Sequence, residues 1–139
     1  MIEVRNVYKS FNGKEVLKDI SFTFEAGKTN LIIGQSGSGK TVLMKSVIGI
    51  HQVDKGQILY NGRDFTKMSN KETALLRQEI GMLFQGSALF DSMTVEENVR
   101  FPLEMFSDKT RKEWEKRVAF CLDRVGLSHA AKLFPSEIS

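Results

Sequence analysis

The sequence predicts a mixed α/β fold, because segments with the two-residue periodicity of strands and segments with helical spacing follow one another along its 139 residues. Apolar and polar residues alternate at 2–11 and 15–25, and the Asn-Gly-Lys turn between them predicts an antiparallel hairpin. A continuous apolar run at 29–34 then leads through a glycine-rich loop into a helical pattern at 40–50. A buried strand, a loop and a helix in direct succession are typical of an α/β core.

The remaining elements are predicted from periodicity, turns and helix caps. Residues 56–64 read as a strand that closes in an Asn-Gly turn, and residues 79–85 as a further strand. Ser-Asn-Lys-Glu at 69–72 and Thr-Val-Glu-Glu at 94–97 are capping boxes, which predict helix starts. A longer amphipathic helix is expected within 108–127, ending at a glycine.

The composition indicates a soluble globular domain, with 41% hydrophobic and 27% charged residues. The net charge of +3 is spread over interleaved acids and bases, which argues against a nucleic-acid-binding surface. The single cysteine, Cys121, excludes an internal disulfide framework. Residues 1–11 lack the apolar stretch of a signal peptide, and no apolar run reaches transmembrane length. We therefore expect any membrane association to go through a partner protein.

The loop at residues 34–41, Gly-Gln-Ser-Gly-Ser-Gly-Lys-Thr, matches the phosphate-binding pattern G-x-x-x-x-G-K-[ST] in full. Its glycines expose backbone N–H groups to phosphate oxygens, and the following helix adds its N-terminal positive potential. Lys40 can reach the β- and γ-phosphates, and the Thr41 hydroxyl can ligate Mg²⁺. These features predict a nucleoside triphosphate site. Its candidate residues are Gly34, Gln35, Ser36, Gly37, Ser38, Gly39, Lys40, Thr41 and Val42.

Other classes of phosphate-binding-loop protein fit the sequence less well. A GTPase needs an N-K-x-D segment, whereas residues 70–73 read Asn-Lys-Glu-Thr and belong to a capping box. A nucleotide kinase needs a second substrate pocket and an arginine-rich lid, which the sequence does not suggest. Two flanking residues discriminate further. Phe11 could stack on an adenine, and Gln85 at a strand end could reach the metal or the attacking water without adding charge.

With these pieces in this order, the sequence resembles the ATP-binding subunit of ABC transporters. The resemblance runs over the whole chain through the segments at 8–28, 32–41, 55–64, 80–99 and 134–139. It implies a P-loop ATPase of the ABC type, in which a RecA-like core carries an antiparallel β subdomain. It also implies a division of the chain, with the β subdomain and the first part of the core at 1–85 and a helical subdomain at 86–139.

The resemblance also assigns roles to single residues. Phe11 would be the adenine-stacking aromatic, and Gln85 the Q-loop glutamine that links Mg²⁺ and the nucleophilic water to a transmembrane permease. Ser139 would be the signature serine that contacts ATP bound by the opposite subunit of a homodimer. Lys40 and Gln85 are thus the candidate catalytic residues, and Thr41 and Gln85 the candidate Mg²⁺ ligands. Val42 replaces a second hydroxyl residue of many family members.

The resemblance further implies ATP and Mg²⁺ as ligands and a peripheral position on the cytoplasmic face of the membrane, held there by the permease. Hydrolysis in this family needs an apolar strand ending in Asp-Glu and a histidine near the γ-phosphate. Residues 119–123 end in Asp, but Arg124 follows and the segment has helical periodicity, so we expect a helix there. We therefore expect a chain truncated within the helical subdomain, which binds ATP without efficient hydrolysis.

The subfamily is suggested by residues 84–104, which resemble the Mla/Mce-type ATPases of phospholipid trafficking in bacterial envelopes. Importers of amino acids or other small solutes share the broader pattern, and a soluble ABC ATPase without a permease also stays open. Ala88, Leu89 and Phe90 form an apolar patch where we expect either the permease or the core of the helical subdomain to pack.

Overall fold

The computed structural model of the chain describes residues 1–84, 86 and 88–138. Within these residues the chain divides into two compact units, Met1–Met82 and the unit that begins at Leu83. The division of the chain at residue 85 given by the resemblance stays a prediction.

The first unit is built on one antiparallel sheet. Its strands are β1 (Ile2–Phe11), β2 (Lys14–Phe24), β3 (Lys55–Tyr60) and β4 (Arg63–Asp64), in the order β2-β1-β3-β4. The predicted hairpin is confirmed, since Phe11 pairs with Lys14 and Ile2 with Phe24. The predicted Asn-Gly turn is also confirmed: Asn61 and Gly62 have positive φ angles of 49° and 81° and join β3 to β4.

Two helices pack with this sheet, α1 (Lys40–Val47) and α2 (Asn70–Gln78). A capping box at Ser69 starts α2, as predicted. The shared core consists of buried side chains from both helices, the first three strands and the 3₁₀ turn after β4, namely Val4, Val7, Leu17, Leu43, Val47, Ile58, Tyr60, Phe65 and Leu76.

Two predicted strands are wrong. Residues 29–34 and 79–84 have no strand structure, and the side chains of Leu31 and Ile33 are 82% and 81% exposed. A buried parallel strand needs neighbouring strands to satisfy its backbone N–H and C=O groups. The four strands of the described residues pair only with one another, so these two apolar runs stay outside the sheet.

The second unit contains α3 (Val95–Phe106) and α4 (Arg111–Arg124). The expected helix around residues 119–123 is confirmed, because Val118 and Leu122 of α4 pack with Val95 of α3 in a small core. The first turn of α3 also donates to a later loop: the Val95 N–H bonds the Leu133 carbonyl and the Glu96 N–H the Ala131 carbonyl, both at 2.9 Å. Among the described residues, none of the helices has the length and hydrophobicity that a membrane span requires.

Candidate nucleotide-binding site

The start of α1 is fixed against β2 by a glycine. Gly39 is the N-cap residue of α1, with φ at +98°, and it is buried. A Cβ atom at this position would lie 3.2 Å from side-chain atoms of Val16 and Leu17. Only glycine combines this backbone conformation with such a close approach. The hairpin therefore fixes the point at which the phosphate-binding loop ends and the helix begins.

The Lys40 side chain folds back across the loop. Its Nζ donates to the carbonyl oxygens of Gly34 at 2.6 Å and Gln35 at 2.8 Å. The loop closes with a turn in which the Ser38 N–H donates to Gln35 O at 3.2 Å. A Cβ at Gly34 would lie 2.9 Å from Ser38 Oγ, so a larger residue would fill the space inside the loop. The ammonium thus sits inside the loop, and phosphate oxygens are acceptors of the same kind as the two carbonyls it now binds.

The N-terminal turn of α1 has the features of an anion-binding site. No described side chain caps this helix N-terminus, and none of its first-turn residues is acidic. Its N–H groups and the exposed Thr41 can therefore face a ligand. Thr41 offers one hydroxyl oxygen, which fits a Mg²⁺ ion that is otherwise held by phosphate oxygens and water. The Val42 side chain packs against the core, so only its backbone could contact a phosphate.

The sheet also holds the other end of α1. The Tyr60 hydroxyl of β3 donates to the Val47 carbonyl at 2.6 Å. Burial raises the pKa of Tyr60 to about 12. The helix that follows the loop is therefore fixed by β2 at its N-cap residue, Gly39, and by β3 at its last residue, Val47.

Phe11 lies at the end of β1 and is 38% exposed. Its ring makes a T-shaped contact with His51, with centroids 5.2 Å apart. Lys9 Nζ lies over the same ring, 5.2 Å from its centroid. Sequence reasoning missed both neighbours. The Lys-x-Phe spacing, which puts two side chains on one face of a strand, was the available signal for Lys9; His51 reaches the ring only through the tertiary fold.

Two predicted site residues, Gln85 and Ser139, lie outside the described residues. Of their neighbours, Phe84 is 45% exposed and Ile138 packs against the core of the second unit. The apolar patch after Gln85 is partly engaged by α3. The Phe90 ring contacts Phe101 at 4.8 Å between centroids, and Asn98 bonds both backbone groups of Phe90. Phe90 nevertheless stays 47% exposed.

Comparison with known proteins identifies the family. A family model described as "ABC transporter" matches residues 17–139. The chain belongs to the ABC transporter family. The match includes the whole phosphate-binding loop and the α1 helix that follows it.

Curated relatives of this ABC family chain carry several different functions in their names. A probable ribonucleotide transport ATP-binding protein, mkl, of Mycobacterium tuberculosis (strain ATCC 25618 / H37Rv) is 39% identical over 99% of the chain and 38% of its own length. The methionine import ATP-binding protein MetN 1 of Rhodococcus jostii is 43% identical over 100% and 42%. The cell division ATP-binding protein FtsE of Escherichia coli is 36% identical over 100% and 63%. The chain thus spans 38–63% of the length of these relatives.

Solved structures confirm the predicted ABC ATPase fold. A dimeric structure of the bacterial ABC transporter cassette MJ0796 has a TM-score of 0.87 at 26% identity, covering 100% of this chain and 63% of that one. CbiO1 from Clostridium perfringens, part of the transporter complex cbiONQ, has a TM-score of 0.85 at 28% identity over 99% and 55%.

Proposed function

We propose that this chain is the nucleotide-binding part of an ABC transporter ATPase subunit. The observation that carries the proposal is the closed phosphate-binding loop, with the Lys40 ammonium held by two loop carbonyls at the uncapped start of α1. On binding, the β- and γ-phosphate oxygens would replace those carbonyls, and Phe11 would stack on the adenine. Mg²⁺ would neutralise phosphate charge, with Thr41 as one ligand.

The roles of Gln85 and Ser139 remain part of this proposal. Gln85 would connect the metal and the attacking water to the permease, and Ser139 would contact ATP held by a second subunit. The dimeric MJ0796 cassette and the cbiONQ complex support a homodimer that binds a permease at the cytoplasmic face of the membrane. The half-exposed Phe90 is our proposed contact for that permease.

Within this proposal, coupled ATP hydrolysis drives transport of phospholipid in a bacterial envelope. The support is the similarity of residues 84–104 to the Mla/Mce-type ATPases. An amino-acid importer is the second candidate, favoured by the 43% identity to a methionine import protein. Co-purification with a permease, followed by identification of the lipid or amino acid that stimulates its ATPase activity, would decide between them and a permease-free ABC ATPase.

The test of the site is Lys40→Ala in the whole chain. It removes a cation that makes charge-assisted hydrogen bonds, so we expect affinity for Mg-ATP to fall about 10- to 100-fold by calorimetry. Lys45→Ala, in the last turn of the same helix, is the matched control and should bind as the unchanged chain does. Equal ATP binding by Lys40→Ala would refute the site.

A measurement of phosphate release distinguishes ATP binding from ATP hydrolysis. We expect the chain alone to bind Mg-ATP but to release phosphate far more slowly than a complete ABC ATPase, because no Asp-Glu strand end accompanies the loop in this sequence. Turnover at the rate of a complete subunit would contradict that expectation.

A further inference from the structure

The end of β1 that carries Phe11 is tied to the loop before β3 by one carboxylate. Asp54 Oδ1 accepts from Lys9 Nζ at 2.7 Å, and Oδ2 accepts from the Ser10 backbone N–H at 2.6 Å. The Asp54 N–H donates in turn to the Tyr8 carbonyl at 2.9 Å. The Lys9 side chain, followed by the Ser10 N–H, lowers the pKa of Asp54. Two of these three bonds hold the backbone just before the aromatic ring, and the third holds the Lys9 side chain.

The residues bonded to Asp54 and its loop also contact the Phe11 ring itself. The Lys9 ammonium that binds Asp54 lies over the Phe11 ring, while His51, from the loop that contains Asp54, contacts the ring edge to face. The Lys9 side chain is only 15% exposed, so its position is well defined. After Phe11 the chain turns at once through Asn12 and Gly13 into β2.

We propose that Asp54 is a positioning residue for nucleobase recognition, which acts through Lys9 and the Ser10 amide to hold the Phe11 ring where the base stacks. This inference rests on the proposed function, because it assumes that Phe11 meets the base. It assigns Asp54 to the affinity for the base and not to the affinity for the phosphates.

The physical reason is preorganisation. A side chain that must be immobilised on binding reduces affinity, whereas one already held does not. Without the Asp54 carboxylate, the Lys9 ammonium loses its counter-charge and can turn to water, which ends its cation–π contact with Phe11. In Asp54→Asn an NH₂ group, which cannot accept a hydrogen bond, replaces one of the two carboxylate oxygens. Either the Lys9 ammonium or the Ser10 N–H then loses its acceptor, so the segment that carries the ring gains freedom before stacking.

The experiment compares ATP with inorganic triphosphate, which has the phosphates and no base. Binding of each, with Mg²⁺, is measured by calorimetry for the whole chain, Asp54→Asn and Glu25→Gln. Glu25 is a matched control, since it pairs with Lys28 at the opposite end of the hairpin. We expect Asp54→Asn to lower ATP affinity about five-fold, which is part of the affinity that stacking of one base contributes. Its triphosphate affinity and both affinities of Glu25→Gln should stay unchanged.

A double-mutant cycle with Phe11→Ala completes the test. Asp54→Asn should have no further effect on ATP affinity once the ring is gone, because the two residues act in series. An unchanged ATP affinity in Asp54→Asn, an equal loss of ATP and triphosphate, or an additive effect with Phe11→Ala would each overturn the inference. These results leave the phosphate site intact as a proposal, whereas failure of the unchanged chain to bind either ligand would overturn both.

Discussion

The two compact units of the chain are stabilised by interactions of different range. In the unit Met1–Met82, the first strand pairs with residues far along the chain, as in Ile2 with Tyr60. In the second unit, α3 and α4 each begin with a capping box formed by residues three positions apart, at Thr94 and Thr110. The first unit therefore depends on strand register and a shared core, and the second more on local helix signals. The candidate nucleotide-binding loop and α1 lie in the first unit.

The largest expected effect in this comparison is that of Ile58→Ala. Ile58 is 1% exposed in the first core, so removing its side chain leaves a cavity and should lower the free energy of unfolding by about 2–5 kcal/mol. Hydrogen exchange of the β1 and β3 amides measures the loss. The control is Leu75→Ala, at a side chain that is 56% exposed, which should change protection little. Equal effects of the two variants would contradict the assigned core.

A smaller effect is expected for Tyr60→Phe, which removes the hydrogen bond from β3 to the Val47 carbonyl. We expect a loss of about 1–2 kcal/mol at neutral pH, because a buried acceptor is left unpaired. Since the folded pKa of Tyr60 is about 12 and the ordinary value 10, the unfolded chain ionises first. The contribution is therefore complete below pH 10 and is lost as pH rises towards 12.

Alkaline denaturation measures this pH dependence. Tyr60→Phe should unfold with a weaker pH dependence between pH 10 and 12 than the unchanged chain. Tyr8→Phe, the same change at the other tyrosine of the chain, is the control. An identical pH dependence for Tyr60→Phe and the unchanged chain would show that the hydroxyl is not held as the structure has it.

The smallest effect should come from a cap of the second unit. Thr94 accepts from the Glu97 N–H, and Glu97 accepts from the Thr94 N–H at 2.7 Å. Thr94→Ala should cost about 1 kcal/mol, seen as faster hydrogen exchange in the first turn of α3. Glu97→Gln keeps an acceptor at this position and should cost less. If the Thr94 change cost as much as Ile58→Ala, the contrast between local and long-range stabilisation would be wrong.

Much of the fold could be predicted from the sequence because its signals act over a few residues. The Asn-Gly turn at Asn61 needs only two positive φ angles, and the capping boxes at Ser69 and Thr94 need only residues three apart. The phosphate-binding loop is equally local, since Gly34 to Thr41 contain the whole pattern. For the turn and the two caps the prediction and the structure agree, whereas the phosphate-binding role of the loop stays a prediction.

The tertiary structure alone decided the features that depend on distant partners. The apolar runs at 29–34 and 79–84 have strand-like sequences, but a strand exists only where another strand pairs with it. The contacts of Asp54 with Lys9 and of His51 with Phe11 likewise join residues 40 or more positions apart. The sequence by itself thus determined the Asn-Gly turn, the helix caps and the loop pattern that we propose binds phosphates. Only the fold decided what surrounds the Phe11 ring, because that depends on which distant segments meet.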